Sequence, residues 1–363
     1  MSNTTAALFT PFTLNTLTLK NRIVMAPMTR NRAAEGSVPQ TMNAEYYRQR
    51  AAAGLIISEA SQVSAEGVGY PGTPGIYNEA QVTGWSKVTD AVHNEDGLIY
   101  LQLWYCGRIS HPDLLPDKQT PVAPSAIKPE GEAVTFEGMK AFVEPRALET
   151  NEIPLIVAQY KNAAQMAKQA GFDGVEIHAA NGYLLDQFLR DGTNQRSDEY
   201  GGNEENRMRF LNQVIDAGLE VWHSNNVGIR LTPENSFNSM SDSNPQAHFN
   251  YFIPQLNARN LAYIHFLEGD MMSAARKVNY RALRETYKGI YMANNAYDKE
   301  RAETAIANGD CDLVAFGVPF IANPDLVHRY KNNLPLNEAD QATFYGGDET
   351  GYTDYPFEEQ EIT

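Results

Sequence analysis

Eight short apolar runs recur along the chain, and a stretch with helical spacing follows each one. The runs are 23–27, 55–58, 98–102, 174–178, 227–231, 262–266, 289–293 and 312–316. The pattern predicts helices over 42–53, 79–94, 154–169, 204–223, 246–259, 280–286, 299–308 and 325–330. In the second of these Trp85, Val88 and Val92 share a face, and the third opens on Pro154, whose missing N–H is not needed in a first turn. Eight strand–helix units point to a closed parallel α/β barrel, the TIM (β/α)8 architecture, rather than an open sheet. The crossovers are expected to be right-handed.

Two segments depart from the repeat. Residues 8–20 alternate Phe9, Phe12, Leu14, Leu17 and Leu19 with small polar residues, which predicts an N-terminal hairpin plugging the barrel bottom. Residues 105–150 hold six prolines and little periodicity. They leave the third strand at the face where barrel sites are built, so they read either as a lid or as a packed loop. Residues 1–363 are read as one barrel domain, with 357–363 an acidic, frayed tail.

Composition narrows the function classes. A net charge of −16 leaves no basic footprint for nucleic acid and disfavours anionic membrane surfaces. No apolar run approaches the roughly 18 residues that span a bilayer. Met1 to Thr5 lacks a basic region leading into an apolar stretch, as a secretion signal would have. Two cysteines, Cys106 and Cys311, exclude a disulfide framework and a four-thiolate iron–sulfur centre. The expected location is the cytoplasm.

Polar residues cluster where the apolar runs end: Thr29, Gln102, His178, Arg230, and the pair Asn294 and Asn295. Burying such groups is costly unless they are paired, and all are expected on one rim. Between residues 178 and 183 stand an imidazole, a carboxamide and a phenol: His178, Asn181 and Tyr183. The first two can donate to one oxygen and polarise a carbonyl or nitro group. A phenol, with an ordinary pKa of about 10, holds a proton to give at neutral pH. The alternative is a core histidine with two loop residues. A metal is not expected, because one histidine without nearby Cys, Asp or Glu partners is a poor ligand set.

At this point the sequence resembles the old yellow enzyme family, in its bacterial ene-reductase branch. The resemblance runs through Met25-Ala26-Pro27-Met28-Thr29-Arg30, Glu45-Tyr46-Tyr47-Arg48-Gln49-Arg50, Leu101-Gln102-Leu103-Trp104, His178 to Tyr183, Ile321-Ala322-Asn323-Pro324-Asp325 and Gly351-Tyr352-Thr353-Asp354-Tyr355-Pro356. It implies non-covalent FMN across the barrel mouth, with Pro27, Thr29 and Ala60 along the ring, and Gln102 and Arg230 at its pyrimidine edge. It implies His178 and Asn181 on the substrate's electron-withdrawing oxygen, Tyr183 as proton donor, and Trp104, Tyr70 and Tyr352 shaping the pocket. The implied reaction takes hydride from NADH or NADPH and passes it to an α,β-unsaturated carbonyl or nitro compound in ping-pong turns. Relatives occur as monomers and homodimers.

The chain departs from the family at the phosphate end. Glycine-bearing turns and a Gly-Arg pair usually follow the last two strands. Here Asn294 and Asn295 follow the seventh, and Gly317-Val318 the eighth. Losing that arginine predicts FMN affinity lower by about 10- to 100-fold, with backbone N–H groups still able to cradle the phosphate. Tyr105-Cys106 stands where relatives have His-Thr. Three other readings stay open: a ligand-binding pseudoenzyme, a flavin dehydrogenase or demethylase on the same barrel, and a non-flavin aldolase. The aldolase lacks a strand-end lysine or metal carboxylates.

Overall fold

The computed structural model describes residues 6–358 except Ala274. Eight parallel strands close into the expected barrel: β1 (Ile23–Met25), β2 (Leu55–Ile57), β3 (Ile99–Trp104), β4 (Gly174–Ala179), β5 (Val227–Leu231), β6 (Ile264–Leu267), β7 (Tyr291–Asn294) and β8 (Leu313–Phe316). Neighbours in sequence pair in order, and β8 pairs with β1 to seal the ring, Ala315 lying opposite Val24. Several ends shift from the sequence reading. The third strand runs on to Trp104, so Gln102 lies inside it, and the seventh ends on Asn294.

Helices α1 (Thr41–Arg48), α2 (Glu79–His93), α3 (Ile153–Gln169), α4 (Glu204–Leu219), α5 (Pro245–Leu256), α6 (Tyr280–Thr286), α7 (Lys299–Ala307) and α8 (Leu326–Asn332) surround the barrel. Five open on an Asn or Asp whose side chain accepts the N–H three residues on: Asn78, Asn203, Asn244, Asn279 and Asp298. Each such cap is worth about 1 kcal/mol over alanine. Helix α1 is shorter than the expected 42–53, and Arg50 beyond it donates to the carbonyls of Phe320 and Ile321.

Alternation along the strands sorts the barrel interior by height. At the bottom, Tyr100 and Tyr263 face each other with ring centroids 6.0 Å apart. A Cβ on Gly174 or Gly228 would sit 2.4 Å from those rings, so only glycine fits there. The hairpin of Phe12–Leu14 and Leu17–Leu19 buries Leu14 and Leu19 in the same cluster as Val24, Leu55, Tyr263 and Met292. Two residues further along each strand the character changes: Tyr100 gives way to Gln102, Gly174 to Glu176 and His178, and Gly228 to Arg230. A polar layer thus rests on an apolar floor.

The segment after β3 carries an antiparallel hairpin, Glu132–Thr135 with Gly138–Ala141, which the proline-rich sequence did not announce. Its four-residue alternation is too short to stand out. Ala133 and Phe142 turn inward onto Trp104 and Tyr183, whereas Val134, Phe136 and Met139 face solvent. Of the tail, Phe357 and Glu358 are described, and the Glu358 N–H donates to Asp325 at 2.8 Å. Residues 359–363 lie outside the described residues.

Candidate active site

Strand β4 ends on Ala179, and the chain must turn at once to begin the short helix Leu184–Leu189. Asn181 and Gly182 make that turn in left-handed conformation, with φ of 57° and 77°. Asn tolerates this region and glycine favours it. A Cβ on Gly182 would also meet Met240 at 2.7 Å. The turn is pinned from three sides. The Gly182 N–H donates to Asp186 at 2.8 Å, the Asn181 N–H to the Thr232 hydroxyl at 2.8 Å, and the Asn238 amide to the Asn181 carbonyl at 2.8 Å.

The Asn235 amide donates to Asn181 Oδ1 at 3.2 Å. With its oxygen occupied, Asn181 presents its NH2 edge as the group left to donate. His178 is buried, and its Nδ1 has no partner among the described residues. Burial first, then the Arg230 charge, holds its imidazole well below the ordinary pKa. The ring is therefore neutral and carries one N–H.

Tyr183 stands over this pair. Its ring meets those of His178 at 5.1 Å and Trp104 at 4.8 Å, both edge to face. Its hydroxyl lies 3.1 Å from that of Tyr70, which stacks on Trp104 at 5.7 Å. Burial, then the neighbouring Tyr70, pushes the Tyr183 phenol well above its usual pKa, so it keeps its proton. Ala60 joins the same cluster.

On the other side of His178, Arg230 is its register partner on β5 and donates through Nη2 to Asn294 Oδ1 at 3.0 Å. The Asn294 amide donates to the Ala315 carbonyl at 2.7 Å, which fixes its orientation. Gln102 donates to Glu176 at 2.7 Å. Among the described residues, Arg230 Nε, Trp104 Nε1 and His178 Nδ1 are buried without partners. Unpaired polar nitrogens at one barrel mouth suit a planar ring edged with carbonyl and ring-nitrogen acceptors, such as the isoalloxazine of FMN.

Pro27 is buried and Thr29 half-buried just past β1, and a Cβ on Gly317 past β8 would lie 3.6 Å from Met28, so these residues share the rim. Val318, at 52% exposure, puts an apolar side chain into solvent at the start of the helix Val318–Ala322. Asn295 donates its amide to the Glu268 carbonyl at 2.8 Å.

One expected pocket residue is misplaced. Tyr352 is fully buried on the far side of the β1 loop, stacked on Tyr46 at 4.2 Å, with its hydroxyl accepting from Asn43 and with Arg30 and Arg32 over its face. Tyr345 from the same terminal segment is 70% exposed instead. Sequence reasoning also passed over Asn235 and the buried Glu176, His265 and Glu59. Glu176 had a visible signal: a carboxylate two residues before His178 in an otherwise apolar strand. The structure also gathers Asp191, Asp242 and His248 within 4.8 Å. Arg190 lies 2.9 Å from Asp242, a positive charge that opposes a cation there.

The sequence profile of the NADH:flavin oxidoreductase / NADH oxidase family matches residues 7–337. A putative 12-oxophytodienoate reductase 2 of Oryza sativa subsp. japonica is 44% identical over 362 residues, covering 97% of this chain and 94% of the relative. A probable flavin mononucleotide-dependent alkene reductase of Leishmania infantum is 44% identical over 344 residues, covering 93% and 94%. The solved structure of morphinone reductase in complex with tetrahydroNAD superposes with a TM-score of 0.94 at 48% identity, covering 98% of this chain and 99% of that one.

Proposed function

Because the chain belongs to the NADH:flavin oxidoreductase / NADH oxidase family, we propose that it is an FMN-dependent ene-reductase, reducing activated C=C bonds of small α,β-unsaturated carbonyl or nitro compounds with NADH or NADPH. The observation that carries this reading is the juxtaposition at one mouth. A neutral His178, the donor edge of Asn181 and the protonated Tyr183 come from one strand end, flanked by the strands that carry Arg230 and Gln102. Bound FMN supplies a two-electron hydride carrier between nicotinamide and substrate.

The chain's own groups do the rest. Arg230 and Gln102 hold the pyrimidine edge, Pro27, Thr29 and Ala60 line the ring, and Asn294, Asn295, Gly317 and Val318 form the ribityl phosphate end through their loops. His178 and Asn181 donate to the substrate oxygen, and their bonds strengthen as charge develops on it. Tyr183 delivers the proton to the α carbon. Trp104 and Tyr70 wall the cavity, and the hairpin after β3 covers it as a lid. One cavity serves nicotinamide and substrate in turn, which gives ping-pong kinetics. The reading includes a cytoplasmic enzyme, monomeric or homodimeric. No described helix is long and apolar enough to cross a membrane.

The test is anaerobic mixing of the FMN-loaded protein with each nicotinamide, then with cyclohexenone. The yellow colour is expected to bleach and return. Protein that takes up no FMN, or that bleaches and is never re-oxidised by any enone or nitroalkene, overturns the reading. Tyr183→Phe is expected to bleach normally and recover about 100-fold more slowly, the scale of a lost general acid. Recovery at the native rate would remove Tyr183 as the proton donor.

A further inference from the structure

We propose that Glu176 is a positioning residue that sets the reduction potential of the flavin, by fixing the amide of Gln102 and offsetting part of the charge of Arg230. The proposal rests on the flavin reading above.

Glu176 lies inside the barrel one row below His178 and opposite Gln102 in the β3–β4 register. It is fully buried and holds two polar partners. Gln102 Nε2 donates to Oε1 at 2.7 Å, and His265 Nδ1 lies 2.9 Å from Oε2. His265 is in turn the register partner of Arg230 on β6. A carboxylate only accepts hydrogen bonds. Gln102 must therefore turn its NH2 down and its carbonyl oxygen up toward the mouth, ready to accept an imide N–H. His265 must carry its proton on Nδ1, leaving Nε2 bare, and Nε2 has no partner among the described residues.

Glu176 thus decides which edge of Gln102 meets a ligand. It also places a negative charge behind Arg230: burial lowers that guanidinium's proton affinity, and Glu176 restores part of it. Apolar side chains of similar volume in place of the whole buried set of Gln102, Glu176 and His265 would cost little or nothing in stability. The carboxylate needs another reason, and its field at the mouth provides one. Arg230 favours a reduced flavin bearing negative charge, and Glu176 opposes it. The balance keeps the reduced ring a willing hydride donor to the second substrate.

The test is the midpoint potential of the FMN-loaded Glu176→Gln protein, read by anaerobic dye equilibration. Removing the negative charge is expected to shift the reduction equilibrium at least tenfold toward the reduced form, about 30 mV more positive for a two-electron couple. Bleaching by nicotinamide is expected to quicken and recovery with enone to slow. Glu176→Asp, which keeps the charge, is expected to stay within threefold of the native equilibrium. A bound flavin with unchanged potential in Glu176→Gln overturns the proposal, as does an equal shift in Glu176→Asp. Should Glu176→Gln not fold, His265→Gln keeps the carboxylate and is expected to stay within threefold, and a tenfold shift there overturns the proposal. Native protein that binds no flavin would instead sink the flavin reading itself.

Discussion

Asn181 offers a donor to the mouth only because Asn235, a residue 54 positions later, occupies its oxygen. Asn235→Ala is expected to free that amide to rotate and to lower kcat/KM for an enone by about tenfold, the worth of one hydrogen bond, with the flavin spectrum unchanged. Steady-state kinetics beside an absorbance spectrum check this. Glu59 makes a second residue-level prediction. Burial lifts its carboxyl from the ordinary 4.5 to about 7, against the Arg30 N–H and the Tyr47 hydroxyl that pull it down. The folded state therefore holds a proton that the unfolded chain releases near 4.5. Glu59 contributes stability in full below that pH, and the contribution is lost as pH rises through 7. Glu59→Gln is expected to flatten the decline between pH 4.5 and 7 by up to about 1.4 kcal/mol per pH unit, measured by urea unfolding across that range. His178, Gln102 and Arg230 were legible because each interrupts or closes an apolar run, and Tyr183 because it follows His178 by five residues. Asn235 was not, because it sits in an irregular loop and its partner Asn181 lies in another. Tyr352 was misread for a similar reason: two tyrosines seven positions apart share one irregular segment, and no periodicity says which is buried.

At the level of elements, the eight runs announced eight strands because strands buried on both faces are near-continuous in apolar residues. Their ends were less legible, since ladder pairing rather than hydropathy stops them. The seventh strand shows what such a shift does. Asn294 is its last residue instead of the first of the loop, so its side chain turns to Arg230 and Ala315. The loop that remains is short and unusual, with Asn295 and Ala296 both at positive φ, 87° and 55°. Alanine in that region is strained, and such strain collects at ligand clamps. Val318 at the head of the neighbouring short helix offers the phosphate no charge. Val318→Arg is expected to tighten FMN binding by about 10- to 100-fold, read from quenching of flavin fluorescence by the apoprotein. Unchanged affinity would place the phosphate elsewhere.

At the level of the whole molecule, the terminal segment is part of the rim. Arg30 donates to the carbonyls of Phe344 and Gly351, Arg32 to those of Asp348 and Thr350, and both guanidinium groups lie over Tyr352. Arg50 stacks on Tyr46, which stacks on Tyr352 in turn. Tyr352→Ala is expected to cost about 3–5 kcal/mol of unfolding free energy, the range for a buried aromatic, measured by denaturant titration. This closure was invisible in the sequence, where Arg30 reads as the end of a strand-end motif, Arg32 carries no signal, and their partners lie more than three hundred residues away. It also orders the birth of the protein. Synthesis runs from the N-terminus, so while the ribosome is still adding residue 340 the carbonyls of Phe344, Asp348, Thr350 and Gly351 that Arg30 and Arg32 bind do not yet exist. The segment that ties down this side of the barrel mouth therefore docks late, after all eight strands have been made.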